Sequence, residues 1–283
     1  MQQAPEKSIL PYLSVLLSAS VLGFSGFFVK TLQMPVTSIA GFRVCMPLAL
    51  LFLVQQRRFS LASDIPKKRI LVASAFTCTR IVLWILGMEY APLSKAVVVL
   101  YLWPIFMTLF SAVFLKEPVD RRSRFLLLLS FTGLIILHGS KVLSLHDRET
   151  IGLGCMLLVA IINAGNTIVF KAELARRSRY EVLFFDNLVG AAIFGPLLLR
   201  ELPSLPLSEI VFGMLYGSLI GYLGYMLLYY GLRRIPAAVA SVLAYTEAVV
   251  ACIIGIAFFD EPLTWNLIVG GAMILVSAAL VRR

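Results

Sequence analysis

The chain has 283 residues, of which 60% are apolar and only 14% charged, and its mean hydropathy is +0.92. This balance excludes an ordinary soluble domain. The formal net charge of +10 sits in short clusters between apolar runs, where the positive-inside bias of membrane loops puts cations, so no nucleic-acid partner is expected.

A short polar lead, 1–8, precedes a first apolar run with no AxA-like cleavage site, read as a retained span. Runs long enough to cross about 30 Å of hydrocarbon as helices fall at 10–29, 36–54, 70–88, 96–115, 125–140, 151–170, 182–199, 210–232, 237–259 and 265–281. The expected fold class is therefore an all-α integral membrane protein with ten transmembrane helices. Four cysteines, Cys45, Cys78, Cys155 and Cys252, stand singly inside apolar stretches. Neither a disulfide framework, a metal site nor any other cofactor is expected from them.

The chain repeats itself. Gly87, Pro92, Ala96, Val98, Tyr101, Phe114, Glu117 and Pro118 recur 144 residues later as Gly231, Pro236, Ala240, Val242, Tyr245, Phe258, Glu261 and Pro262. Two membrane units meeting at a pseudo-twofold axis are a common scaffold of secondary transporters. Counting loop cations on alternate sides, with the N-terminus inside, gives eighteen inside against five outside, the latter being Lys30, Lys95, Lys141, Arg148 and Arg200. Both termini are thus expected in the cytoplasm. Because each unit holds five spans, the second enters the membrane from the opposite side, and the repeats are inverted: 9–140 and 151–283, joined by a solvated outer linker at 141–150.

Several motifs stand in matching spans: Phe28-Val29-Lys30 closing the first, Phe42-Arg43-Val44 in the second, Trp103-Pro104 in the fourth, Glu247 in the ninth, and Glu-Pro after the fourth and ninth. In this set the sequence resembles the EamA-type carriers of the drug/metabolite transporter superfamily over essentially its whole length, although Ala248 stands where a proline often follows. The resemblance implies a ten-helix carrier in the bacterial inner (plasma) membrane, with a central cavity between its halves. It implies movement of small organic metabolites, often amino acids or related compounds, and commonly outward. Uptake or exchange of nucleotide-like or vitamin solutes on the same frame is the alternative.

A charge at mid-bilayer is costly, so intramembrane ionisable residues are the first candidates for a site. Arg43, Arg80, Asp186 and Glu247 qualify. The 144-residue offset sets Arg80 against Gly224 and Glu247 against Trp103, so the frame is symmetric and its charges are not. Arg80 or Arg43 is expected to hold an anionic group of the substrate, and Glu247 an amine or a coupling proton. The competing reading is a structural Arg80–Glu247 ion pair. Asp186, aligned with Arg43 when Phe42 is matched to Phe185, lies near the inner end, where it is expected to reach water in a structural or gating role. Trp84, Tyr101, Trp103, Asn163, Asn166, Tyr225 and Tyr245 supply further polar and aromatic lining. The tandem Gly213, Gly217, Gly221 run reads as a packing seam. Glu117 and Glu261 each end a span at the surface and suit interfacial contacts.

The expected partners are a small-molecule substrate, the lipid bilayer and, through Glu247, a proton; a monomer and a homodimer both fit. A membrane enzyme is the rival class. Gly23-Phe24-Ser25-Gly26 fits the GxSG of an intramembrane serine hydrolase, for which His138 is the available activating histidine. No GxxxxGK[ST] is present, against ATP hydrolysis within the chain. A channel and a dimerised small multidrug exporter are further rivals; the latter lacks its first-span carboxylate between residues 10 and 29.

Overall fold

The computed structural model describes residues 8–54, 68–91, 93–138, 147–259 and 263–281, and among these it contains helices and turns but no strand. Hydrocarbon offers the backbone no hydrogen-bond partners, so an apolar chain of this kind satisfies its N–H and C=O groups within helices. In order these are α1 Leu10–Gly23, α2 Ser25–Thr31, α3 Val36–Val54, α4 Lys68–Tyr90, α5 Leu93–Leu100, α6 Trp103–Phe114, α7 Arg121–His138 and α8 Asp147–Leu174. They continue with α9 Arg179–Glu201, α10 Leu207–Tyr216, a π-helical segment Gly217–Gly224, α11 Tyr225–Leu232, α12 Ala237–Ala244, α13 Thr246–Phe259 and α14 Trp265–Leu280.

Among the described residues, six continuous helical stretches are long and apolar enough to cross a membrane: Leu10–Thr31, Val36–Val54, Arg148–Leu174, Arg179–Ser204, Leu207–Leu232 and Ala237–Phe259. Val98–Phe114 and Trp265–Leu280 are shorter apolar helices. The outward-facing side chains are hydrocarbon-like: Leu53, Phe114 and Trp265 are 76%, 70% and 79% exposed. Water penalises such a surface and lipid does not.

Helix pairing follows the repeat. α3 packs on α9, α6 on α12 and α7 on α14, while α4 against α8 is matched by α11 against α1. Capping marks several starts: Ser178 and Glu181 form a capping box on α9, and Thr264 Oγ1 accepts from Leu267 N at 3.3 Å on α14.

Among the described residues, expected single spans are interrupted in four places. α1 and α2 part at Phe24, α5 and α6 at Tyr101-Leu102, and α12 and α13 at Tyr245. Pro104 accounts for the second, since it has no N–H and is accommodated in the first turn of α6. Its mate Ala248 has an N–H, yet that group turns back to Tyr245 O at 3.1 Å, so the break recurs at the equivalent place without proline. The fourth interruption is the π segment. There a Cβ on Gly217 would lie 2.2 Å from Phe42 O and one on Gly221 2.4 Å from Arg43 O. The glycines let α3 approach backbone to backbone, as the packing-seam reading expects.

Glu117 lies just beyond α6, after Lys116, whose φ is +53°. Its carboxylate meets Lys171 Nζ at 2.8 Å and accepts from Ala237 N at 2.8 Å, while Lys171 also donates to Ile235 O at 2.7 Å. One first-half residue thus fastens the end of α8 and the start of α12, where the unpaired N–H groups and the helix dipole favour an anion. Glu261 lies outside the described residues.

Candidate functional site

Between the two halves lies a cavity of about 280 Å³. Its wall includes Ser25 and Val29 from α2, Val36, Ala40 and Arg43 from α3, Arg80 and Trp84 from α4, and Tyr101 and Trp103 at the α5–α6 break. Asn163 and Thr167 from α8, Tyr216 and Tyr225 from α10 and α11, and Glu247 from α13 complete it. The residues expected to bind the solute all line this cavity except two. Asn166 donates to Thr77 Oγ1 at 3.1 Å, away from the lining. Tyr245 stands behind the wall, fully buried, with its ring stacked on that of Tyr101 at 6.3 Å and its hydroxyl donating to Tyr101 O at 2.9 Å.

That last bond has a local cause. At the α5–α6 break Ile105 N turns to Leu102 O, and the Tyr101 carbonyl is left without its helical partner. The repeat mate from the other half supplies the donor. The Tyr101 side chain in turn faces the Glu247 carboxylate.

The expected alternative of a structural Arg80–Glu247 pair is not formed: among the described residues neither Arg80 nor Arg43 has a carboxylate within 4 Å. Arg43 is instead stacked over the Tyr225 ring, 4.6 Å from its centroid. Its backbone rests on Gly221, so the glycine seam sets how far this guanidinium reaches into the cavity.

Asp186 departs from its expected setting. It is 4% exposed, and its oxygens accept from Tyr229 OH at 2.8 Å and Thr77 Oγ1 at 3.1 Å. The chain Asn166–Thr77–Asp186–Tyr229 therefore joins α8, α4, α9 and α11 in one buried hydrogen-bonded string. Placement by distance from the span end suggested water. Burial by α4 and α11 overrides it. Ser25 opens α2 beside the cavity, whereas α7 packs on α14 and α12; His138 ends α7, and its side chain is outside the described residues.

Tyr216 and Thr167 also line the cavity and Thr77 sits behind it against Asp186, three residues that neither charge nor the repeat singles out. Tyr216 belongs to the glycine-seam helix, and the i, i+3 spacing of Thr77 and Arg80 was the available signal for the third.

The paired helices of the two halves enclose this cavity, and Glu117 fastens one half to the other. The profile of the EamA-like transporter family matches residues 9–138 and again 150–283. The chain belongs to the EamA-like transporter family. Among curated EamA-like relatives, the pseudopaline exporter CntI of Pseudomonas aeruginosa is 25% identical over 252 residues, covering 88% of this chain and 87% of that protein. An uncharacterized transporter of Archaeoglobus fulgidus is 26% identical over 203 residues, covering 70% and 71%. A crystal structure superposes with a TM-score of 0.81 over 95% of this chain and 96% of the other at 18% identity, a likeness of fold.

Proposed function

We propose that this EamA-like protein is a secondary active exporter of small organic metabolites, amino acids or related compounds. It works by alternating access at the interface of two inverted five-span repeats, ten spans in all, with both termini cytoplasmic in a bacterial inner membrane. The observation that carries the reading is the cavity between the halves, whose wall holds Arg43 and Arg80 on the first-half helices and Glu247 on the second. Two similar halves can rock symmetrically while unlike charges bind an unsymmetrical solute. In this reading a guanidinium holds the acidic end of the solute, and Glu247 holds an amine or the coupling proton. The volume lies just below the roughly 300–1,000 Å³ of sites for drug-sized ligands, which suits a metabolite of amino-acid scale. One relative carries the name of an exporter, which supports the outward direction.

The test is counterflow in proteoliposomes with the wild type and Glu247→Gln. Trans-acceleration by loaded metabolite is expected of the wild type, together with pH dependence that Glu247→Gln removes. Flux without trans-acceleration marks a channel, and transport that stays pH-dependent in Glu247→Gln sinks the proton role.

A further inference from the structure

We infer that Tyr229, anchored by Asp186, is a positioning residue for Arg43, which rests on the reading above in which a guanidinium receives the acidic end of the solute. Tyr229 stands behind the cavity wall, 1% exposed, one turn along α11 from Tyr225, which is on the wall. Its ring meets that of Tyr225 edge-on, with centroids 5.8 Å apart, and Tyr225 carries the Arg43 guanidinium over its face at 4.6 Å. Contact thus runs from Asp186 through two tyrosine rings to the cation.

Helical register alone does not fix Tyr225. It opens α11 directly after the π segment Gly217–Gly224, where i→i+5 bonding shifts side chains out of the α spacing, so the rotation of α11 depends on long-range partners. Tyr229 supplies two. Its hydroxyl donates to Asp186 Oδ2 on α9 at 2.8 Å, and its ring packs on Phe170 of α8 with centroids 6.0 Å apart. Asp186 is seated in turn, since its other oxygen accepts from Thr77 on α4 at 3.1 Å. A phenol bonded to a buried, doubly held carboxylate is a stiff support. Asp186 also acts through space on Arg43 and Arg80. Support and charge are separable by substitution.

The test uses the full chain in lipid nanodiscs, in a Trp265→Phe background that leaves Trp84 and Trp103, both on the wall, as the fluorescent reporters. The probes are alanine and alaninamide, which differ in the carboxylate. This parent protein is expected to respond to alanine at concentrations about tenfold lower, the size of one charge-assisted hydrogen bond. Tyr229→Phe, which keeps the ring and removes the bond, should erase that preference while moving alaninamide less than about twofold. Asp186→Asn removes the charge but still accepts from Tyr229, and should retain the preference. In an Arg43→Gln background Tyr229→Phe should change nothing further, because its effect passes through Arg43. Should Tyr229→Phe fail to fold, combining it with Asp186→Asn breaks the same bond without stranding a buried charge, and carries the same expectation. Preference retained in Tyr229→Phe overturns the inference, as do equal weakening of both probes, preference lost in Asp186→Asn, or further weakening in the Arg43→Gln background. A parent protein without the preference removes the reading that a guanidinium holds the acid, and the positioning role with it. A parent protein with the preference that Tyr229→Phe leaves intact removes the positioning role alone.

Discussion

Gly221→Ala tests how the glycine seam supports the site. The added Cβ would stand 2.4 Å from Arg43 O and 2.8 Å from Pro47 Cγ. Carbon contacts are comfortable near 3.5 Å, so α3 must withdraw by roughly 1 Å, and both obstacles are backbone or ring atoms that cannot rotate aside. Overpacking of this kind costs about 1–3 kcal/mol. At about 2–4 °C per kcal/mol, the melting temperature should fall by roughly 2–12 °C. Gly26→Ala is the control, because nothing lies within 4 Å of its added Cβ and the residue is exposed within α2. There the alanine should raise stability by about 0.5–1 kcal/mol through reduced backbone freedom. Thermal unfolding in nanodiscs reads both. The solute response should weaken in Gly221→Ala as well, since the displaced atom is the backbone of Arg43. A Gly221→Ala protein as stable as the wild type, or a Gly26→Ala protein losing as much, refutes the seam argument.

Tyr245→Phe should lower stability by about 1–3 kcal/mol, because the Tyr101 carbonyl at the helix break would be buried without a donor; an unchanged melting temperature contradicts this. Asp120 Oδ2 accepts from Ser123 N at 3.3 Å at the start of α7, and these bonds hold its carboxyl below the usual carboxylate range. A depressed folded pKa gives stability that is complete above the unfolded value of about 3.9 and is lost as pH falls through the folded value. Asp120→Ala should therefore melt below the wild type near neutrality and converge with it below about pH 3, and a constant difference across that range rules the cap out.

Much of this architecture is legible in the sequence because hydrocarbon enforces it. Apolar length and loop charge place the helices, and the 144-residue repeat picks out Tyr101 and Tyr245, which touch across the interface. Arg43, Arg80, Trp84, Tyr101, Trp103, Asn163, Tyr225 and Glu247 all reach the cavity because intramembrane polarity is rarely retained without a use. What periodicity misses is where helices stop being regular. The break at Tyr245 has no proline to announce it, and the π segment follows from α3 pressing on Gly217 and Gly221. Asn163 and Asn166 look equivalent three residues apart, yet the second turns to Thr77 because Asp186 on α9 needs that hydroxyl. Such choices depend on long-range partners that local spacing does not contain.

The Glu117–Lys171–Ala237 fastening bears on the economy of the cycle. It closes the Arg/Lys-rich end of the bundle, while the cavity runs toward Val29, Val36 and Trp84 at the other. The pair is only 10% and 23% exposed, and parting it without a substitute costs roughly 2–4 kcal/mol. Unassisted, about one molecule in thirty or fewer would be open at the basic end at any moment. On the proposed orientation and alternating-access reading, this fastening holds the vacant protein closed toward the cytoplasm, and exchange measured against net efflux in proteoliposomes tests whether its parting sets the pace.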